Sequence, residues 1–316
     1  MPEQLFYVAA APFEAARKVE ILPAGHRASK LHGHSFVAKA RTEIAQNWVS
    51  FDGAEVGKLR DQLATAVEPI NYSLLNDHVS IPTDENMARW VRGKLVDIPG
   101  NPVIGIQSTA EQGADLDQHD HVHLWRKYRF EAAHQLPNVA EGHKCGRMHG
   151  HGFEVIIHVD QVIDDENMGI DFDVIDQHWD PIQDELHHRC LNDIQGLENP
   201  TSEMIASWLW ARLKPELRNL SWVSVYETYS SGCHFDGTHH RIWKEQRFES
   251  ACQLSLAPEG DTRRNLHGHS YLIRLHLTAP LNKVLGWTVD YGDVKELFKP
   301  VYVQLDHHLL NELPDL

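Results

Sequence analysis

The sequence predicts an α+β protein built from tandem ββααββ units, and three repeated signatures carry that reading. His-Gly-His opens at His32, His149 and His267, a period of about 118 residues. Upstream, FEAA at Phe13, FEAA at Phe130 and FESA at Phe248 keep the same offset. Downstream, LLN, CLN and LLN end at Asn76, Asn192 and Asn311, and Pro82-Thr83 is repeated as Pro200-Thr201.

The middle copy shows the elements in order. KYRFEAAHQL and HGHGFEVIIHV alternate apolar and polar residues, the period of two that half-buried strands require. Val174, Ile175, Trp179, Ile182 and Leu186 then recur at three-to-four spacing, as do Met204, Ile205, Trp208, Leu209 and Leu213, so two helices follow. Thr201 is placed to N-cap the second helix, with Glu203 favourable to its dipole. SWVSVYETY returns to strand alternation, with another strand after it. The repeat divides the chain into units 1–121, 122–239 and 240–316. The junctions DQHDHVHLWRKYRF and DGTHHRIWKEQRF hold no Gly/Ser/Pro-rich linker, so tightly packed units are expected. The third unit stops before its second helix and last strands and is expected to be incomplete.

Composition narrows the function. At 316 residues and 42% hydrophobic the chain can bury two or three cores. The net charge of −16 is spread along the length with no basic stripe interleaved with aromatics, which argues against nucleic acid as a partner. No apolar run reaches the roughly 18 residues that cross a bilayer, and the N-terminal stretch lacks a basic region ahead of an apolar core. No membrane partner and a cytoplasmic location are therefore expected. Cys145, Cys190, Cys233 and Cys252 form no C-x-x-C pair, against both a disulfide framework and a zinc ribbon.

The chemistry concentrates in the middle copy. Residues i and i+2 of a strand share a face, so His149 and His151 present two imidazoles together, and His134 on the partner strand can supply a third. Three histidines with an open fourth position suit catalytic Zn2+ better than magnesium or calcium; a solvated pair of strand histidines is the plainer alternative. Cys145, four residues before His149, is a candidate base or nucleophile whose proton a neighbouring cation would loosen. Its plainer alternative is a small buried hydrophobe.

FEAAH, then C-x-x-x-H-G-H, a Leu-Asp-His-x-x-Leu-Asn stretch, Asn-Pro-Thr and a strand carrying Glu-Thr resemble the 6-pyruvoyl/6-carboxytetrahydropterin synthase family. The resemblance implies a T-fold, with antiparallel sheets forming a pseudo-trimeric barrel and helix pairs on the outside. It also implies 7,8-dihydroneopterin triphosphate as substrate, with His134, His149 and His151 as zinc ligands and Cys145 as the proton-abstracting thiol. Glu227 in VYET would anchor the pterin ring, whose N–H donors suit a carboxylate, and Thr201 would also lie at the substrate. The Cys-x3-His-Gly-His spacing looks like the bacterial 6-carboxy-5,6,7,8-tetrahydropterin synthases that feed queuosine precursor synthesis.

The copies depart from the family pattern in different places. In the middle copy His187 stands where the family has Asp, leaving His188 alone of an acid/base dyad. Copy three keeps Asp306 and His307 but has Cys252 for the first ligand and Arg263 for the thiol. Cys252, His267 and His269 could still bind zinc through a thiolate. In copy one Arg17 replaces the first ligand, Ala28 the thiol, Asn71-Tyr72 the dyad and Gln107 the anchoring Glu, so it is expected to be chemically silent. A composite site is expected, with zinc, Cys145 and Glu227 from copy two and a relay through Asp306 and His307 from copy three. Two chains could stack as a homodimeric pseudo-hexamer. The competing readings are the 6-pyruvoyl reaction on the same substrate and a noncatalytic pterin- or zinc-binding protein.

Overall fold

The computed structural model describes residues 4–43, 48–161 and 168–314. The extreme ends of the first and third expected units lie outside the described residues.

The described residues divide into two compact units, residues 1–126 with 159–172 and residues 127–158 with 173–316. In the first unit, β1 (Phe6–Arg17) and β2 (His32–Glu43) pair antiparallel from Phe6↔Glu43 to Arg17↔His32. Helix α1 (Glu55–Val67) follows, then a two-residue strand β3 (Ser73–Leu74), helix α2 (Asp84–Lys94) and the hairpin β4 (Val103–Thr109) and β5 (Gln112–Leu116). Its strands lie in the order β5-β4-β2-β1-β3. Alternation sends Ala9, Ala11, Phe13 and Ala15 into a core with Leu59 and Leu63 of α1 and Met87 and Val91 of α2.

The same order recurs after β6 (Val122–His134) and β7 (His149–Gln161). Helix α3 (Phe172–Leu186), the short strand β8 (Arg189–Cys190), helix α4 (Ser202–Leu213), β9 (Leu220–Thr228) and β10 (Ser231–Phe235) complete it. The expected helical faces are buried: Ile175, Trp179, Ile182 and Leu186 on α3, and Ile205, Trp208, Leu209 and Leu213 on α4. Copy three supplies β11 (His240–Cys252), β12 (His267–Thr278) and helix α5 (Tyr291–Leu305). In every copy the signature aromatic stacks on the next strand: Phe13 on Phe36, Phe130 on Phe153 and Phe248 on Tyr271, each at 4.9 Å between ring centroids.

The expected closed barrel is not formed. Among the described residues the hydrogen-bonded ladder ends at β12 on one side and at β3 on the other. The reason is local: β4 pairs with β2 and β9 flanks β7, whereas no described strand takes that place on β12. An edge without a partner cannot carry the ladder round.

The short strands β3 and β8 were not foreseen. Each pairs parallel to the end of the copy's first strand, Ser73–Leu74 on Ala15–Ala16 and Arg189–Cys190 on Ala132–Ala133. The repeated Asn then clips the residue that follows that strand end. Asn76 exchanges two bonds with the Lys18 backbone (3.0 and 2.8 Å), Asn192 with Gln135 (2.9 and 2.8 Å) and Asn311 with Gln253 (2.8 and 2.8 Å). No helix among the described residues is long and apolar enough to cross a membrane.

Candidate metal centre

His149 and His151 project from the start of β7 and His134 from the end of β6. The glycine between the two histidines relieves a close approach, because a Cβ on Gly150 would lie 3.2 Å from the Ala132 carbonyl oxygen, tighter than an ordinary contact. Gly33 and Gly268 face the same restriction from Ala15 and Ser250, at 3.2 and 3.3 Å. His134 and His149 are 4.5 Å apart between ring centroids, His134 and His151 5.1 Å, and His149 and His151 5.0 Å.

Backbone carbonyls set the tautomers. Nδ1 of His134 lies 2.9 Å from the Pro200 oxygen and Nδ1 of His149 lies 2.7 Å from the Arg147 oxygen, so each ring turns the lone pair of Nε2 toward the other two. One ligand atom from each of His134, His149, His151 and Glu227 lies within 4.8 Å of the others. The Nε2 atoms of His134 and His151 are buried without a hydrogen-bond partner in the described structure. Orphaned imidazole nitrogens facing one another are costly unless a cation takes their lone pairs. The residues present therefore fit a bound metal ion. Burial pushes the His134 pKa down to about 4, with the neighbouring histidines adding to the effect and the Pro200 bond opposing it, so the ring is neutral at physiological pH.

A cavity of about 620 Å³ opens beside His149 and His151. Glu227 lines it, its side chain 15% exposed and its Oε1 3.6 Å from His151 Nε2. Burial, then Glu203, pushes the Glu227 pKa up to about 7 against the pull of Lys144 and Lys244. Cys145 also lines the cavity; burial, then Glu227, pushes its thiol up, and the proton loss expected at this position depends on a cation.

The family profile described as 6-pyruvoyl tetrahydropterin synthase matches residues 8–107, 123–238 and 241–316. The chain belongs to this family. Its three matches make it a tandem triplication of the family's domain, α+β with ββααββ-like units. A 6-carboxy-5,6,7,8-tetrahydropterin synthase of Synechocystis is 41% identical over 119 residues, 35% of this chain and 91% of that protein. The structure of Caenorhabditis elegans 6-pyruvoyl tetrahydropterin synthase is 24% identical over 34% of this chain and 90% of that one, with a TM-score of 0.32. The Plasmodium vivax 6-pyruvoyltetrahydropterin synthase structure is 17% identical over 35% and 93%, with a TM-score of 0.28.

Of the residues singled out in this family member's sequence, His134, His149, His151, Cys145, Glu227 and Thr201 come together. The Thr201 hydroxyl is used internally: it accepts from the Met204 amide (3.2 Å), the expected N-cap, and donates to the Gly286 carbonyl (2.5 Å). Asp306 and His307 do not line this cavity. His307 lines a separate open cavity of about 520 Å³ with Glu249, Ser250 and His269. Asp306 accepts from the Glu249 amide through Oδ1 (3.0 Å) and contacts His307 Nδ1 through Oδ2 (2.9 Å). The corresponding acceptors are Asn71 Oδ1 for Glu14 (3.0 Å) and His187 Nδ1 for Glu131 (3.1 Å). This position thus holds the first strand in all three copies, whatever else it does. Tyr72, His188 and His307 follow it with φ of 53, 57 and 59°, and His188 is exposed.

Copy three contributes residues to the cavity other than the expected Asp306 and His307. Trp287, Asp290 and Tyr291 line it, and buried Glu203 accepts from the Thr288 amide (2.8 Å) and hydroxyl (3.1 Å). The Tyr291 and Ser202 hydroxyls are 2.7 Å apart. The repeat held one signal: Thr83-Asp84-Glu85 matches Thr201-Ser202-Glu203, and Glu85 likewise accepts a backbone amide, from Gly169 at 3.1 Å.

Proposed function

We propose that the middle copy is a zinc-dependent 6-carboxy-5,6,7,8-tetrahydropterin synthase site acting on 7,8-dihydroneopterin triphosphate, a step toward queuosine-type 7-deazapurines. The observation that carries the proposal is the convergence of three imidazoles, two with orphaned buried nitrogens, on a cavity that also holds a buried carboxylate and a thiol. The Synechocystis relative and the Cys-x3-His-Gly-His spacing favour the carboxy product over the pyruvoyl one.

His134, His149 and His151 would hold the zinc, which when bound would supply a Lewis acid for the side-chain hydroxyl oxygens of the substrate and ease proton loss from the side-chain carbon beside the ring C=N. Cys145 takes that proton, and Glu227 accepts hydrogen bonds from the pterin ring N–H groups. Lys144 and Arg147 at the mouth supply positive charge for a triphosphate in an otherwise acidic chain. The mechanism draws no step from Asp306, His307 or His188, because none of them lines the cavity.

Zinc content and turnover of 7,8-dihydroneopterin triphosphate, measured on one preparation with acetaldehyde and pterin product assayed, test this reading. Acetaldehyde release that Cys145→Ala abolishes without loss of zinc supports it. Turnover without acetaldehyde points to the pyruvoyl reaction. Zinc and pterin binding without turnover would leave a noncatalytic binder, a reading favoured by the absence of Asp306 and His307 from the cavity lining.

A further inference from the structure

The third copy holds a second triad of donors, Cys252, His267 and His269, with one ligand atom from each within 4.8 Å of the others. The His267 and His269 rings stand 5.1 Å apart at 89°, close to the 5.0 Å and 87° of His149 and His151. His267 Nδ1 lies 2.7 Å from the Asn265 carbonyl oxygen, as His149 Nδ1 does from that of Arg147, so its Nε2 is turned toward the cluster in the same way. That Nε2 lies 3.7 Å from Cys252 Sγ. Zn–S of about 2.3 Å and Zn–N of about 2.0–2.1 Å at a tetrahedral angle place sulfur and nitrogen about 3.6 Å apart.

Two features suit a thiolate and a cation here. Tyr271 replaces Phe153, and its hydroxyl donates to Cys252 Sγ at 3.5 Å, a bond that favours a sulfur carrying negative charge. Arg263, the cation that should repel a metal, is held by Asp261 through Nε–Oδ1 (3.0 Å) and Nη2–Oδ2 (2.7 Å).

We infer that Cys252, His267 and His269 form a second zinc site, a thiolate–imidazole clip that fastens the end of β11 to the start of β12. Among the described residues the cluster has three donors and no carboxylate, and the proposed occupant is the metal ion alone. This inference does not depend on the pterin reading of copy two.

The test uses the full chain in a Cys145→Ala background, which removes the other thiol near a metal site. Zinc per chain is measured after loading and desalting, and Co(II) replaces zinc for spectroscopy, because a coordinated thiolate gives a near-ultraviolet charge-transfer band that imidazole does not. Two zinc ions per chain and a thiolate band are expected. Cys252→Ser should lose one ion and the band, and His269→Gln, at an exposed position, should also lose one ion. His149→Gln should lose the other ion and keep the band. A single ion with no thiolate band, or a band that survives Cys252→Ser, would overturn the inference.

Discussion

The first-ligand positions of copies one and two hold the same carbonyl and opposite solutions around it. In copy two, His134 gives Nδ1 to Pro200 and leaves Nε2 buried without a hydrogen-bond partner. In copy one, Arg17 donates to the matching Pro82 oxygen (3.0 Å) and, through the same nitrogen, to Asp84 (2.7 Å), which also accepts from Ser108 (2.6 Å). Ser202 takes the place of Asp84 in copy two. Arg17 is 5% exposed and Asp84 1%, so a buried guanidinium–carboxylate pair occupies the ground that a metal would need. The two positions differ together between the copies: a charged side chain in a buried site is tolerable only with its counter-ion.

The largest expected effect breaks that pair. Arg17→Leu leaves Asp84 buried and unpaired and should cost about 3–5 kcal/mol, read as a fall in denaturation midpoint. Transplanting copy two's pair, Arg17→His with Asp84→Ser, should recover most of that loss; no recovery would show that the pair is not the reason for the difference. On the other side of the comparison, Cys145→Ala should lower turnover by about 10²–10⁴-fold with zinc retained, and Ala28→Cys should give copy one no activity while Arg17 is in place. Glu227→Gln should weaken pterin binding by about ten- to a hundred-fold, the worth of a charge-assisted bond, with a smaller change at saturating substrate.

A smaller effect separates the clip from the metal. Asn192→Ala removes both bonds to Gln135 and should destabilise by about 1–3 kcal/mol, loosening zinc because Gln135 follows His134. Asn76→Ala should destabilise similarly without touching metal content. The smallest effect is in acid. Burial, then Arg17, holds the His34 pKa down to about 4. Between pH 6.5 and 4 the folded state binds fewer protons there than the unfolded one, so its contribution is complete above about pH 6.5 and declines as the pH falls toward 4. Arg17→Leu should raise the His34 pKa, measurable by NMR titration of the ring; an unchanged value would remove Arg17 from the explanation.

How far the sequence was legible differs from residue to residue. The helical faces on Ile175 to Leu186 and on Ile205 to Leu213 were readable because burial imposes a period of 3.6. His134, His149 and His151 were readable because residues two apart on a strand share a face. Asn76, Asn192 and Asn311 were visible only as repeat markers, since a clip to the end of β1, β6 or β11 spans 57 to 58 residues of sequence. Trp287, Asp290 and Tyr291 escape a sequence pattern for a similar reason: nothing local says that the segment leading into α5, with the first residue of that helix, lines another copy's cavity.

Copy number, strand alternation, the glycine between paired histidines and the arginine at position 17 where copy two has a histidine are legible in short stretches, and the sequence alone determined them. The open ladder, the separation of Asp306 and His307 from Cys145 and the pairing of Arg17 with Asp84 were decided only by the tertiary structure. Each depends on which groups meet across tens of residues, and pairing, burial and counter-charge act on that distance in space, which local pattern does not encode.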